Sequence, residues 1–186
     1  NDPKFREQDF TVGSWDVYTG TTKTDEVTMT LILNDCVIEE RWMVLDAARV
    51  GNGVGLFNYS PLLKNWGYYW ATDTGATTSF RGSLIKPGEM RYVTERPLPN
   101  GKVRLRHWTL FAKSDGTIRE LSVGTEDGGT TWTDLGTPGR IAGGWTLAGQ
   151  RLPLAGQIRS IAAAFIASGI DAEKHIVFNQ SAVPQH

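Results

Sequence analysis

Arg104, Arg106 and Trp108 recur at every second position, and Val103, Leu105, His107, Thr109 and Phe111 fill the positions between and after them. Successive side chains of an extended chain point to opposite faces, so these are the two faces of one strand. If the arginine face looks inward, Arg106 stacked on Trp108 can hold a ligand carboxylate or enolate, with Glu39 or Glu40 across the interior as its partner. If it looks outward, the arginines are solvated while Val103, Leu105 and Phe111 pack inside. The strand alone leaves both open. A buried Glu beside an Arg can be tuned into a general base, and the same pair also serves as a structural ion pair. The acid–base candidates are therefore Glu40 or His107 as base, with Arg106 or Tyr92 stabilising negative charge. Tyr68 and Tyr69 are further hydroxyl candidates on strand walls, and Asp73 is one at a rim.

Other chemistries find less support. His107 stands alone between Arg106 and Trp108, where a histidine is more often simply hydrogen-bonded in place than catalytic. Cys36, His107, His175 and His186 show no ligand spacing, so no metal is expected. Nucleophilic serine catalysis would need a G-x-S-x-G elbow, which the sequence lacks. The glycines of Gly51-Asn-Gly-Val-Gly55 are followed by neither Lys-Ser/Thr nor a helical pattern, so they are expected to form a flexible loop rather than a phosphate cradle.

The elements that must position these residues are strands. Between Lys102 and Trp132 three strand-forming runs are separated by Ser114-Asp115-Gly116 and Glu126-Asp127-Gly128-Gly129, strong hairpin signals that predict an antiparallel meander. Upstream the unit recurs: a first strand over 10–18, then runs at 27–33, 36–45, 56–59, 65–72, 76–85 and 90–96. Period two puts Glu40 and Trp42 opposite Glu39 and Arg41, Trp66, Tyr68 and Trp70 opposite Tyr69, and Phe80 beside Gly82 and Leu84. About ten strands at this spacing predict an all-β, up-and-down antiparallel barrel. On closure, Trp42, Trp70, Phe80, Tyr92, Arg106 and Trp108 would share the lumen as an aromatic pocket with one cationic anchor.

With 186 residues, 40% hydrophobic and 21% charged, the chain is of globular composition, and a net charge of −1 gives no basis for expecting nucleic acid or an anionic membrane as partner. One cysteine excludes an internal disulfide. The absence of Met at position 1 leaves localisation open between the cytoplasm and, if a signal peptide has been removed, the periplasm or exterior. Of the 7 tryptophans, six precede residue 135, and so many large flat side chains on short strands either fill a wide core or line a concave pocket, plain core being the commoner role for any single one.

Several motifs hold a common order: Phe10-x-x-Gly13-x-Trp15, Glu40-Arg41-Trp42, Gly55-Leu-Phe-x-Tyr59, Trp66 with Trp70, Phe80-x-Gly82, Arg106-x-Trp108-Thr109 and Asp127-Gly-Gly-x-x-Trp132. Over residues 8–134 this pattern resembles small bacterial lipocalin-like proteins of the calycin type. The resemblance implies a barrel of eight to ten strands with a ligand cavity at one mouth, and carries over no catalytic residue. One branch of such barrels holds haem through a late histidine, which makes haem on His107 the alternative to an expectation of no cofactor.

After Asp134 the resemblance would continue with a closing strand rich in Tyr and Arg, whereas the sequence runs into Leu-Gly-Thr-Pro-Gly-Arg-Ile-Ala-Gly-Gly. Domains are accordingly expected at 1–134, the barrel, and 135–186, a linker and tail. Ile158, Ile161, Ala162, Phe165 and Ile166 have helical spacing up to Gly169, and Ile176-Val-Phe178 reads as a buried strand. From about residue 155 to 186 the tail resembles an internal fragment of a tryptophanyl-tRNA synthetase without either ATP-binding signature, as in a fused reading frame from cloned environmental DNA. The tail is expected to be dispensable unless it covers an exposed sheet edge, which a homodimer would otherwise cover. The leading functional expectation is a binder of a small hydrophobic or aromatic molecule, carboxylated or not. The rivals are a cofactor-free hydrolase or isomerase-like enzyme and a structural module.

Overall fold

The computed structural model describes residues 2–135 and the backbone of residues 145–150. The expected C-terminal helix and strand lie outside the described residues. Among the described residues eleven antiparallel strands make one curled sheet: β1 (Gly13–Thr19), β2 (Thr22–Ile32), β3 (Val37–Val44), β4 (Gly53–Ser60), β5 (Asn65–Thr72), β6 (Thr77–Lys86), β7 (Glu89–Pro97), β8 (Val103–Ala112), β9 (Ile118–Thr125), β10 (Thr133–Asp134) and β11 (Trp145–Gln150). Each of β1 to β9 pairs with the next, and β11 pairs with both β9 and β1, so the ladder returns to its start.

Three sequence expectations change here. The sheet does not stop at Asp134: Trp145–Gln150, inside the stretch assigned to linker and tail, takes the edge between β9 and β1, and the compact unit runs Asn1–Arg151. The run at 56–59 begins three residues earlier, because Gly53 and Gly55 belong to β4 and not to a loop. Phe10 belongs to a 3-10 turn ahead of β1. A glycine-rich run looks like a loop because glycine has no side chain to report a face; here the missing side chains are the reason for the strand. A Cβ on Gly55 would lie 2.5 Å from Glu40 Oε2 and 2.6 Å from the Tyr68 ring, and one on Gly53 or Gly82 would enter the rings of Trp70 or Tyr92. Inward glycines let neighbouring large rings lie flat on the sheet.

Alternation fixes the interior. Trp15, Val17, Val27, Met29, Leu31, Ile38, Phe57, Met90 and Leu110 point inward and are buried. One end is closed by the N-terminal segment, which makes two short 3-10 turns, Pro3–Arg6 and Asp9–Thr11. Asp2 caps the first by accepting from the Lys4 N–H at 2.9 Å, and Pro3 supplies the fixed φ of a first helical position. The segment is pinned from above: Trp66 Nε1 donates to Glu7 at 3.0 Å, Trp15 Nε1 donates to the Thr11 carbonyl at 2.8 Å, and the Tyr92 hydroxyl donates to Gln8 Oε1. Phe5 packs edge-on against Tyr59.

Candidate functional site

The six residues grouped by alternation, Trp42, Trp70, Phe80, Tyr92, Arg106 and Trp108, lie on the inward face of β3, β5, β6, β7 and β8. Tyr68 is at their centre. Its ring stacks on Phe57 at 4.1 Å between centroids and lies 4.9 Å from Trp108, 5.6 Å from Phe80, 5.9 Å from Tyr92 and 6.3 Å from Trp70. Offset and tilted ring contacts at these separations are favourable beyond the area they bury.

Among the rings stand charged groups. Glu40, 1% exposed, accepts a hydrogen bond from the Tyr68 hydroxyl at 2.7 Å. Burial disfavours its charged form and raises its pKa to about 7, although the Tyr68 bond works in the other direction. Burial likewise pushes the Tyr68 hydroxyl well up, and the neighbouring Glu40 adds to the effect; Tyr92 is raised by burial too. Both phenols are therefore donors, not phenolates, at neutral pH.

Arg106 is half-buried. Its Nε donates to Ser122 Oγ at 2.7 Å, and its guanidinium carbon sits 5.5 Å from the Phe80 ring centre, within cation–π range. Burial lowers its pKa, and the charge of Glu120 opposes that shift. The expected partnership of Arg106 with Glu39 or Glu40 does not form. Glu39 is on the outer face, bonded to Arg41 at 2.6 Å, and the carboxylate acting on Arg106 is Glu120 of the adjacent strand. Glu120 was not legible as an interior residue, because β9 alternates against its hydropathy: Glu120, Ser122 and Gly124 face inward while Leu121 and Val123 face outward. Gln8 also escaped notice, since it precedes the first strand; it is fully buried, and its Nε2 has no hydrogen-bond partner among the described residues.

His107 does not join this group. It lies on the outer face of β8, in register with Val93 and Val123, with its ring 4.3 Å from that of Trp132. Burial first and the Arg91 charge second lower its pKa. A base there is separated from Glu40 and Tyr92 by the thickness of the sheet, and a haem ligand there would face away from the lumen. Arg104 pairs with Glu126 at the strand end. Tyr69 is exposed on the outer face, and Asp73 at the rim accepts from the Gly51 N–H at 3.1 Å. Among the described residues no group of three or more His, Cys, Asp or Glu could hold a metal ion.

The lumen is graded along its axis. At the closed end Trp66, Tyr92, Met90, Leu110 and Ile118 have almost no exposure. At the other end the inward side chains Trp70, Thr78, Thr94, Arg106 and Ser122 are only half-buried, so solvent reaches this side of the aromatic cluster. Asp25, buried beside this mouth, accepts from Arg49 of the β3–β4 loop at 3.1 Å.

No family model matches the chain. A stretch of 33 residues is 94% identical to the tryptophan-tRNA ligase of Rhizobium meliloti (strain 1021) and, over the same length, 82% identical to that of Agrobacterium fabrum. Each match covers 18% of this chain and 9% of the relative, so the chain spans about a tenth of the length of the curated relatives it matches. This similarity is consistent with a fragment of that enzyme, the resemblance read from the tail.

Proposed function

We propose that the chain is a lipocalin-like binder that takes a small, partly aromatic molecule into the open half of its barrel, with an acidic group of the ligand meeting Arg106. One observation carries the reading: Arg106 projects inward at the half-open mouth, its position fixed by Ser122 and the Phe80 face, and no carboxylate lies within ion-pair distance of it among the described residues. A cation held in this way between a ring face and a serine hydroxyl is a ready anchor for a carboxylate, while Trp70 and Trp108 supply stacking surface. The filled, sealed opposite end makes the site blind, which favours a ligand entering end-on.

Titration with phenylacetate, followed by tryptophan quenching, tests the reading. Arg106→Ala should weaken binding about tenfold to a hundredfold, the worth of a charge-assisted hydrogen bond. Arg104→Ala, which removes a residue already paired with Glu126, should do less. Equal and negligible effects at both positions would remove Arg106 from the site.

A second reading, a cofactor-free hydrolase or isomerase-like enzyme, is favoured by a specific observation. Glu40 holds its proton up to about pH 7, with the Tyr68 hydroxyl bonded to it, the range in which a carboxyl serves as general base near neutrality. Turnover of a panel of aromatic esters and enolisable acids that is abolished by Glu40→Gln would establish it, and the absence of turnover would leave the binder.

A further inference from the structure

We propose that the inner wall of the lumen around Glu40 is a subsite for an organic cation, a protonated amine or quaternary ammonium group, so that the ligand carries a basic nitrogen at its leading end. The inference rests on the binding reading above and adds the chemistry of the end that enters first.

Two other buried acids of the barrel have cations within ion-pair distance. Asp25 has Arg49 at 3.1 Å, and Glu89 has Lys86 at 3.4 Å and Arg91 at 3.5 Å. Glu40 differs. From β5 it meets the Tyr68 hydroxyl, from β7 the Tyr92 phenol, and in register on β2 and β4 stand Met29 and Gly55; among the described residues no cation faces it. Isolating a carboxylate among rings costs several kcal/mol unless it is paired or protonated, and here protonation is the fallback. A ligand cation would restore the pairing that Asp25 and Glu89 have.

The surroundings suit an organic cation better than a metal. Glu40 is a single carboxylate, whereas a hard divalent ion needs about six oxygen ligands. Around it are ring faces: Tyr68 stacked on Phe57, Trp70 6.3 Å from Tyr68, and Trp42 as the next inward residue of β3. Ring faces carry negative potential and attract ammonium groups within about 6 Å, and a carboxylate behind them adds to that attraction. Glu40 Oε2 lies directly over Gly55, where any larger residue would collide with it. Arg106 on β8 is held by Ser122 and Glu40 on β3 by Tyr68, so the positive and negative poles of the interior are anchored by different partners. A ligand with a cationic leading end and an acidic trailing end fits both.

The test uses the full chain and two isosteric probes, benzyltrimethylammonium and neopentylbenzene, with phenylacetate as a third, all read by tryptophan quenching. At pH 8 the cation should bind about tenfold tighter than its neutral isostere, and the preference should collapse toward parity at pH 6, where Glu40 holds its proton. In Glu40→Gln the ratio of cation to neutral affinity should stay near one at both pH values. Parity of the two isosteres at pH 8 while neopentylbenzene or phenylacetate binds would overturn the cation subsite and leave the lumen reading intact. Quenching by none of the three would sink both. A preference that persists in Glu40→Gln would also overturn the proposal, and the pH comparison on the unmodified chain decides the matter even if that variant fails to fold.

Discussion

The two ends of this barrel are built from the same repeating hairpin and the same residue types, yet one is a core and the other a mouth. At the closed end a segment of twelve or so residues outside the sheet supplies the missing wall, offering the Thr11 carbonyl to Trp15, the Glu7 carboxylate to Trp66 and Gln8 Oε1 to Tyr92. At the mouth no described segment does so, and Trp70, Thr78, Thr94, Arg106 and Ser122 are left half-buried. Sealing a barrel end is thus less a property of its strands than of what the chain lays across it. Aromatic side chains serve either purpose, since a ring that packs against a plug and a ring that waits for a ligand look alike in composition.

The largest effect should come from the ring of pairings that both ends share. Truncation after Asp134 removes Trp145–Gln150 and exposes the edges of β1 and β9, and it should abolish the cooperative melt seen by circular dichroism. Truncation after Arg151 should preserve it. Next, Trp66→Ala at the closed end should cost about 3–5 kcal/mol in denaturant titration, whereas Trp70→Ala at the mouth should cost less than half of that; equal costs would erase the distinction between the ends.

Glu40 gives a comparison in pH. Its folded pKa, about 7, lies above the ordinary value of 4.5, so the native state holds the proton more tightly than the unfolded chain. The contribution is neutral to folding below about pH 4.5 and destabilises increasingly as pH rises toward and through 7, approaching about 3 kcal/mol above pH 8. Glu40→Gln should therefore be more stable than the unmodified protein at pH 8, with the gain vanishing near pH 4. A gain independent of pH would show that Glu40 is not titrating in this window. The smallest effect should be Tyr92→Phe, which takes the hydroxyl from Gln8 Oε1 and should cost about 1–2 kcal/mol by leaving that carbonyl buried without its donor.

Much of this was readable from spacing. The hairpin signals at 114–116 and 126–129 and the run at 65–72 correspond to observed turns and to β5, because Asp-Gly turns and period-two alternation are local properties of the chain. The grouping of Trp42, Trp70, Phe80, Tyr92, Arg106 and Trp108 followed from applying alternation strand by strand, and all six face inward. Where that rule lost its grip, hydropathy and geometry disagreed. On β9 the polar residues face in and the apolar ones out, which hid Glu120 and gave Arg106 the wrong partner. On β4 the glycines had no hydropathy to display. On β8 both faces were chemically plausible, and only the neighbours decided that Arg106 would be inside and His107 outside.

The sequence by itself determined the strands, most of the turns and the parity of each face, since these depend on residues a few positions apart. Tertiary structure alone decided which parity faced the lumen, which acid met which cation, and that residues beyond Asp134 closed the ring. Those outcomes are set by pairings between positions as far apart as Trp15 and Gly149, or Tyr92 and Gln8. A burial energy that depends on such distant partners leaves no mark in local spacing, which is why Glu40 could be placed on a face from sequence but its isolation from any described cation could not.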